Sequence, residues 1–311
     1  MRRYLLSAAV LMPALVHGAP TAGAPEPFQF GVIGHAFKSG ADEGALRLAL
    51  KESEQAKPAF VVATGLKAKG ESCSDQLYAE RKSMLDESAA PLVLSLAASD
   101  WSECKNSLGR TAAIDRLNRL REVFFADDQS LGARKIELAR LSSNAKFRSY
   151  AENAHWEYGH VLFATINLPA NNNHFRAEAG RNSEFEDRLV ANRSWLKRLF
   201  AMAARQKLAG IVLFSDGDVG MLKEDEAVSP PGSGNRQDGF AGTRRQIVAL
   251  AQKFPGQVLL IDAQGAAPGK KIAWRGNLGH VSVDGKRAAI RVNPGAAPLF
   301  ALKDGTEPAP P

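Results

Sequence analysis

Cysteine is almost absent: Cys73 and Cys104 are the only two in 311 residues. They form no CxxC, and no histidine lies near either in sequence, which argues against a metal or redox role. Histidine is scarce as well, with six in the chain and no HxH, HxxxH or HExxH spacing. No G-x-S-x-G occurs, and no glycine-rich loop follows a buried strand; GSGNRQDG (232–239) follows a Pro-Pro loop. A nucleophile elbow and a P-loop are thereby excluded. Basic residues exceed acidic ones, 40 to 33, yet no basic run is interleaved with aromatics. Nothing here reads as a nucleic-acid-binding module.

Long apolar runs are lacking too. The one at Leu5–Val16 is too short to span a bilayer and follows Arg2 and Arg3. Small residues then offer cleavage after Gly18, Ala19 or Ala24, so residues 1–24 read as a secretory signal peptide. Its removal takes two arginines and no acid, lowering the formal charge from +7 to +5. The expectation is a periplasmic or secreted protein with no membrane span after cleavage. In that oxidising setting Cys73 and Cys104 form a disulfide. It closes a loop of about 30 residues, worth roughly 3–4 kcal/mol in the chain-entropy model.

What the chain does have is a series of short apolar runs that stop at loops. They are FQFGVIGH (28–35), FVVATG (60–65), PLVLSLAASDW (91–101), VLFATINLPANNN (161–173), IVLFSDGD (211–218) and VLLIDAQG (258–265). Such runs read as strands buried on both faces, and the helical patterns between most of them give an α/β fold with a largely parallel sheet. Helices are expected at 42–56 (Asp42 and Glu43 in its first turn), 75–87, 111–125 and 183–206. The third buries Ile114, Leu117, Leu120, Val123 and Phe124, and the fourth opens on a capping box of Ser183 and Glu186. The stretch 126–153 reads as irregular and packed over the sheet, 155–168 as a hairpin bent at Gly159, and 229–242 as a loop. The end is β-only, with a hairpin turn at Asp284-Gly285. One domain over 25–302 and a flexible tail at 303–311 complete the expected organisation.

This order resembles the calcineurin-like metallophosphoesterases, most closely an exported bacterial branch. The resemblance rests on FGVIG (30–34), VVATG (61–65), CSD (73–75), Asp100-Trp101 followed by Cys104, REVFF (121–125), YAEN (150–153) with Trp156, the asparagine run 171–173, ANRSWL (191–196) and VLLI (258–261). It implies two mixed sheets packed face to face and flanked by helices, a four-layer sandwich. The family's metal ligands do not carry over. His35 stands at the first aspartate and Phe37 where a histidine should follow. Leu66 replaces the bridging aspartate, Ala97-Ala98-Ser99-Asp100 the third motif, and Asp262 to Ala266 the final histidines. A two-metal centre needs a carboxylate bridging its cations, and leucine offers none.

At the strand ends His35, Asp100, Asn171, Asn172, Asn173, His174, Asp216 and Asp262 remain as a candidate pocket. The expectation is an exported, catalytically inactive protein that binds a small polar ligand or an envelope protein, without metal or other cofactor. The alternative is a divergent phosphoesterase with one divalent ion such as zinc or manganese, His35 serving as base or ligand beside Asp262. A further idea is an interaction protein using the 229–242 loop. Asp216-Gly217-Asp218 reads as an Asx turn, since an EF-hand's later acids are missing. His155, His160 and His280 read as hairpin or surface histidines, and the sequon at Asn192 falls mid-helix.

Overall fold

The apolar runs become strands of two sheets. The computed structural model describes residues 26–37, 43–178, 180, 182–221, 238–264, 271–283 and 287–303. The first half holds β1 (Phe28–Ile33), α1 (Glu43–Gln55), β2 (Val61–Thr64), α2 (Asp75–Asp86), β3 (Leu92–Ser95), α3 (Ala98–Trp101) and α4 (Ala113–Phe124). After β4 (Ala139–Arg140) come β5 (Ala154–Tyr158), β6 (Val161–Thr165), α5 (Ser183–Arg205), β7 (Gly210–Phe214), α6 (Ala241–Ala251) and β8 (Gln257–Asp262). The chain closes with β9 (Ala273–Arg275), β10 (Leu278–Ser282), β11 (Arg287–Val292) and β12 (Phe300–Lys303).

One sheet has the order β12-β11-β1-β2-β3 and the other β4-β5-β6-β7-β8-β10-β9. Within them β1-β2-β3 and β6-β7-β8-β10 run parallel, while β11, β12, β5 and β9 make antiparallel pairs. The fold is therefore α/β with two mixed sheets.

Strand side chains alternate between faces, and both faces of each sheet are covered. Phe30, Val62 and Val93 point inward to meet Phe163, Val212 and Leu259 between the sheets. Ile33, Ala63 and Leu94 point outward beneath Leu46, Tyr78 and Leu117 of α1, α2 and α4. On the far side Leu162, Leu213 and Leu260 pack under Trp195, Leu199 and Ile247 of α5 and α6. The layers run helices, sheet, sheet, helices. No helix among the described residues is long and apolar enough to cross a membrane.

The β5–β6 hairpin turns at Gly159 and His160, both at positive φ (54° and 66°). A Cβ on Gly159 would lie 2.1 Å from the Phe28 ring, so glycine is required there twice over. The 126–153 stretch is largely irregular, as expected. Buried Arg140 holds it down by donating to the carbonyls of Asp127 and Ala151 (2.6 and 3.0 Å).

Four expectations are corrected. β10 and β11 lie in different sheets, so they form no hairpin; β10 pairs instead with β9, and Asp284-Gly285 lies outside the described residues. Asn182, not Ser183, caps α5, and its side chain is engaged with the backbone of Arg176 (2.9 and 2.6 Å), so the capping box does not form. Ile114 is 45% exposed, because α4 turns Ala113 inward in its place. Lys303 belongs to β12 rather than to a tail. Asp42, residues 1–25, residues 222–237 of the expected 229–242 loop, and residues 304–311 lie outside the described residues.

Candidate functional site at the strand ends

The carboxyl ends of the parallel strands converge where the two sheets meet, the usual place for ligands in such sheets. β1 delivers His35, whose ring covers Gly65: a Cβ there would sit 3.1 Å from it. Its Nε2 lies 2.9 Å from Ser99 Oγ, and that hydroxyl donates to the Lys67 carbonyl (3.0 Å), so His35 Nε2 is the donor. Asp100 is fully buried and accepts the backbone N–H groups of Leu66 (2.8 Å) and Ala97 (2.7 Å). Burial pushes its pKa up to about 7, with nearby Asp216 adding to the rise.

Lys67 is equally buried, and its ammonium donates to the carbonyls of Ala68 (2.8 Å) and Ser99 (3.0 Å). Desolvation lowers its pKa against the attraction of Asp100. Behind it, buried Arg81 donates to the Leu66 carbonyl (2.9 Å) and pairs with Glu71 (2.7 Å) and Glu43.

The second sheet supplies Asp216 and Asp262. Asp216 Oδ2 accepts from Ala98 N (2.7 Å) and Ala170 N (2.8 Å), and Oδ1 accepts from Gln264 Nε2 (3.0 Å). Burial raises its pKa to about 6. Asp262 accepts from Gln264 N (2.8 Å) and Ser282 Oγ (2.9 Å) and contacts His280 Nε2 at 2.5 Å. Asp218 lies 3.8 Å from the same nitrogen, and one ligand atom from each of Asp218, Asp262 and His280 falls within 4.8 Å of the others. Burial opposes protonation of His280, but the hydrogen bond and charge of Asp262, with Asp218, raise its pKa. Asp218 also accepts Gly220 N (2.7 Å), so an Asx turn opens at the second aspartate of Asp216-Gly217-Asp218, while Asp216 is engaged by Ala98, Ala170 and Gln264.

The asparagine run takes three consecutive positive φ values, at Asn172, Asn173 and His174 (57°, 55° and 54°). Two of the asparagines serve the scaffold. Asn172 Oδ1 accepts Gly239 N (2.9 Å). Asn173 Oδ1 and its carbonyl both accept from fully buried Arg188 (2.5 and 2.8 Å). The other two candidates line an open cleft of ≈ 1060 Å³ beside the crevice. Asn171 Nδ2 donates to Ser102 Oγ (2.9 Å), and His174 Nδ1 binds Glu184 (3.0 Å) with its ring edge-on to Trp101. Glu184 is held at a pKa of about 2: burial alone would raise it, but Arg188 and His174 outweigh that.

Two atoms of this wall, Asn171 Oδ1 and His174 Nε2, are buried without a hydrogen-bond partner among the described residues. Lys69, Lys105, Arg110 and Arg176 surround them, against Glu103 and Glu184, which pair with Lys69 and with His174 and Arg188.

The sequence candidates thus divide into three groups. Asp100 and Asp216 meet under backbone N–H groups, Asp262 joins His280 and Asp218, and Asn171 and His174 face the cleft. His35 and Asp262 have separate partners, Ser99 and His280. Sequence reasoning missed Lys67, Arg188, Glu184 and His280. The signals for some were present: Glu184 and Arg188 stand at i,i+4, and His280 and Ser282 at i,i+2 on one strand face. Asn192 of the sequon is buried and bonded to Asn167 and Asn153 (3.0 and 2.8 Å). Cys73 and Cys104 form the disulfide.

A dinuclear metal centre does not fit these residues. The Asp100 and Asp216 carboxylates accept backbone N–H groups, and the buried Lys67 ammonium lies beside Asp100.

No family model matches the sequence, and no curated protein sequence matches it. Among solved structures the chain is similar to TT1561 of Thermus thermophilus, with 13% identity, a TM-score of 0.46, and coverage of 85% of this chain and 93% of that one. It is also similar to a phosphatase of Mycoplasma pneumoniae, with 10% identity, a TM-score of 0.44, and coverage of 90% and 95%. Likenesses of that strength carry no functional argument, and the reading of function rests on the site.

Proposed function

We propose that this is an exported metallophosphoesterase-like protein that does not hydrolyse phosphoesters and instead binds a small anionic ligand in the cleft beside its strand ends. The observation that carries this reading is a pair of polar atoms, Asn171 Oδ1 and His174 Nε2, that have no hydrogen-bond partner among the described residues and lie in a wall rimmed by four cations. Buried polar groups are almost always satisfied, so an ordered water, an ion or a ligand would complete the bonding of such a pair, and the surrounding cations favour an anionic ligand. With Nδ1–H given to the Glu184 carboxylate, neutral His174 presents Nε2 as an acceptor and protonated His174 presents it as a donor. A ligand carrying both an acidic group and a hydroxyl or amide suits that wall. Nucleic acid and a membrane span form no part of the proposal.

Thermal-shift and calorimetric titration with a panel of small carboxylates and organic phosphates tests it. Binding that Asn171→Ala and His174→Ala each weaken about tenfold supports the reading. Turnover of p-nitrophenyl phosphate by the metal-loaded protein would defeat it.

A second reading is favoured by the Asp218, Asp262 and His280 group, a donor set suited to one zinc or manganese ion. An ion held there would supply Lewis acidity toward a phosphoryl or carbonyl oxygen. One equivalent of zinc retained after dialysis, and lost in Asp262→Asn and His280→Ala, would establish the site. Hydrolysis of phosphomonoesters or diesters abolished by the same changes would then make the protein an enzyme.

A further inference from the structure

At the opposite end of the molecule, where the parallel strands of the five-stranded sheet begin, lies a second concavity of ≈ 700 Å³. Its floor is made by the residues that open β1, β2 and β3, with Phe28 packed edge-on to Tyr158 at 4.7 Å. Five cations line it, namely Lys57, Arg134, Lys135, Arg291 and Lys303, and among the described residues no carboxylate does. The charge is only partly answered. Lys135 reaches Asp86 (3.2 Å), and Arg134 gives its Nε to the Ala89 carbonyl (3.0 Å). Among the described residues Lys57, Arg291 and Lys303 make no ion pair.

The folded backbone holds like charges together here, and in a concave site such charges focus their field on one point. Lys57 is kept at the mouth by a positive φ of 46°, Arg291 by pairing of β11 with β1 opposite Gln29, and Lys303 by pairing of β12 with β11. Two arginine forks and three lysine ammoniums match a ligand with several phosphoryl oxygens. Tyr158, 43% exposed, adds an apolar surface beside them.

We infer that this cationic pocket is a second binding site, independent of the strand-end cleft, for a ligand carrying two or more phosphate charges. Two sources share that chemistry, a soluble polyphosphate and the headgroups of an anionic lipid surface.

Calorimetric titration of the full chain with pyrophosphate at low salt, alongside flotation with phosphatidylglycerol or pure phosphatidylcholine vesicles, separates them. Saturable pyrophosphate binding, weakened about tenfold by Lys57→Glu or Arg291→Glu and unaffected by Arg148→Glu, an exposed cation that does not line the pocket, supports the soluble source. Flotation with phosphatidylglycerol alone, lost in the same two variants, supports the lipid source. Both variants alter exposed side chains that make no ion pair among the described residues, and an unchanged Tm confirms that they fold. Absence of both signals, or binding indifferent to Lys57 and Arg291, overturns the inference. So does pyrophosphate binding that emerges only when the chain is shortened to end at Lys303, because Asp304 and Glu307 would then be the natural occupants.

Discussion

The Asp216 carboxylate, just past β7 of one sheet, accepts the backbone N–H of Ala98, the first residue of α3 after β3 of the other, at 2.7 Å. The same oxygen takes Ala170 N at 2.8 Å, so one buried side chain ties three loops together. Asp216→Ala leaves both N–H groups without an acceptor in a dry site. We expect it to destabilise the protein by about 3–5 kcal/mol. Asp216→Asn keeps one carbonyl oxygen for the two N–H groups and requires only that the Gln264 amide turn over, so its cost should be nearer 1 kcal/mol. Urea denaturation of the two variants checks the order; equal losses would mean that the N–H groups are not the reason for the aspartate.

Acidity should separate the buried acids from the rest. Asp100 titrates near 7 and Asp216 near 6, both above the ordinary 3.8. A carboxyl group whose pKa is raised on folding contributes stability that is complete below its unfolded pKa and is lost as pH rises through its folded pKa. The window runs from about pH 4 to pH 7. His155 works against this: burial, with Arg198, lowers its pKa to about 4, so its contribution is lost as pH falls through the same range. The net curve is therefore less informative than a difference. Between pH 8 and pH 5 the wild type should gain more stability, or lose less, than Asp100→Asn. Parallel Tm curves for the two proteins would place Asp100 as a normal, ionised carboxylate.

Much of this fold was legible, and the reasons are local. Val61–Thr64, Leu92–Ser95, Val161–Thr165 and Gly210–Phe214 are buried on both faces, and continuous apolar runs can hardly be anything else in a chain this long. The strand ends followed from the same runs, which brought Asp100, Asp216 and Asp262 into view. Pairing partners were not legible. Asp284-Gly285 looks like a hairpin turn, but Val281 and Ile290 both point into the space between the sheets from opposite sides of it. Buried cations were also hidden. Arg188 carries no apolar signal, and its burial depends on acceptors at Asn167, Asn173 and Glu184 that only the folded chain assembles. The cationic pocket draws Lys57, Arg134, Arg291 and Lys303 from four separate stretches, so no basic run announced it.

Arg188 gives a sharp test of geometry against charge. Its two terminal nitrogens serve Asn167 O, Asn173 Oδ1 and Asn173 O, while Nε holds Glu184 at 2.6 Å. A lysine keeps the charge but cannot span that fan of acceptors. Arg188→Lys should cost nearly as much as Arg188→Ala, about 3–5 kcal/mol, since either strands the buried Glu184 carboxylate or the asparagine loop. Because Asn173 sits in that loop and His174 leans on Glu184, ligand binding in the cleft should weaken in parallel. A lysine variant of native stability would show that charge alone suffices.

The disulfide bears on the same cleft. Cys73 precedes α2 and Cys104 follows α3, and Cys104 belongs to the cleft wall next to Ser102. With the two cysteines 31 positions apart in sequence, the bond restricts the unfolded chain by roughly 3–4 kcal/mol. Tyr78, which donates to the Asp100 carbonyl at 2.7 Å, and Arg116, which donates to the Cys73 carbonyl at 2.9 Å, brace the segment independently. The double change Cys73→Ser and Cys104→Ser should therefore lower stability by about that entropic amount while leaving ligand affinity within about twofold, because the folded wall keeps its other supports. Denaturation with and without reductant measures the first quantity, and calorimetry below the unfolding transition measures the second. A large loss of affinity at native temperature would mean that the sulfur bridge itself holds Ser102 and Asn171 in register.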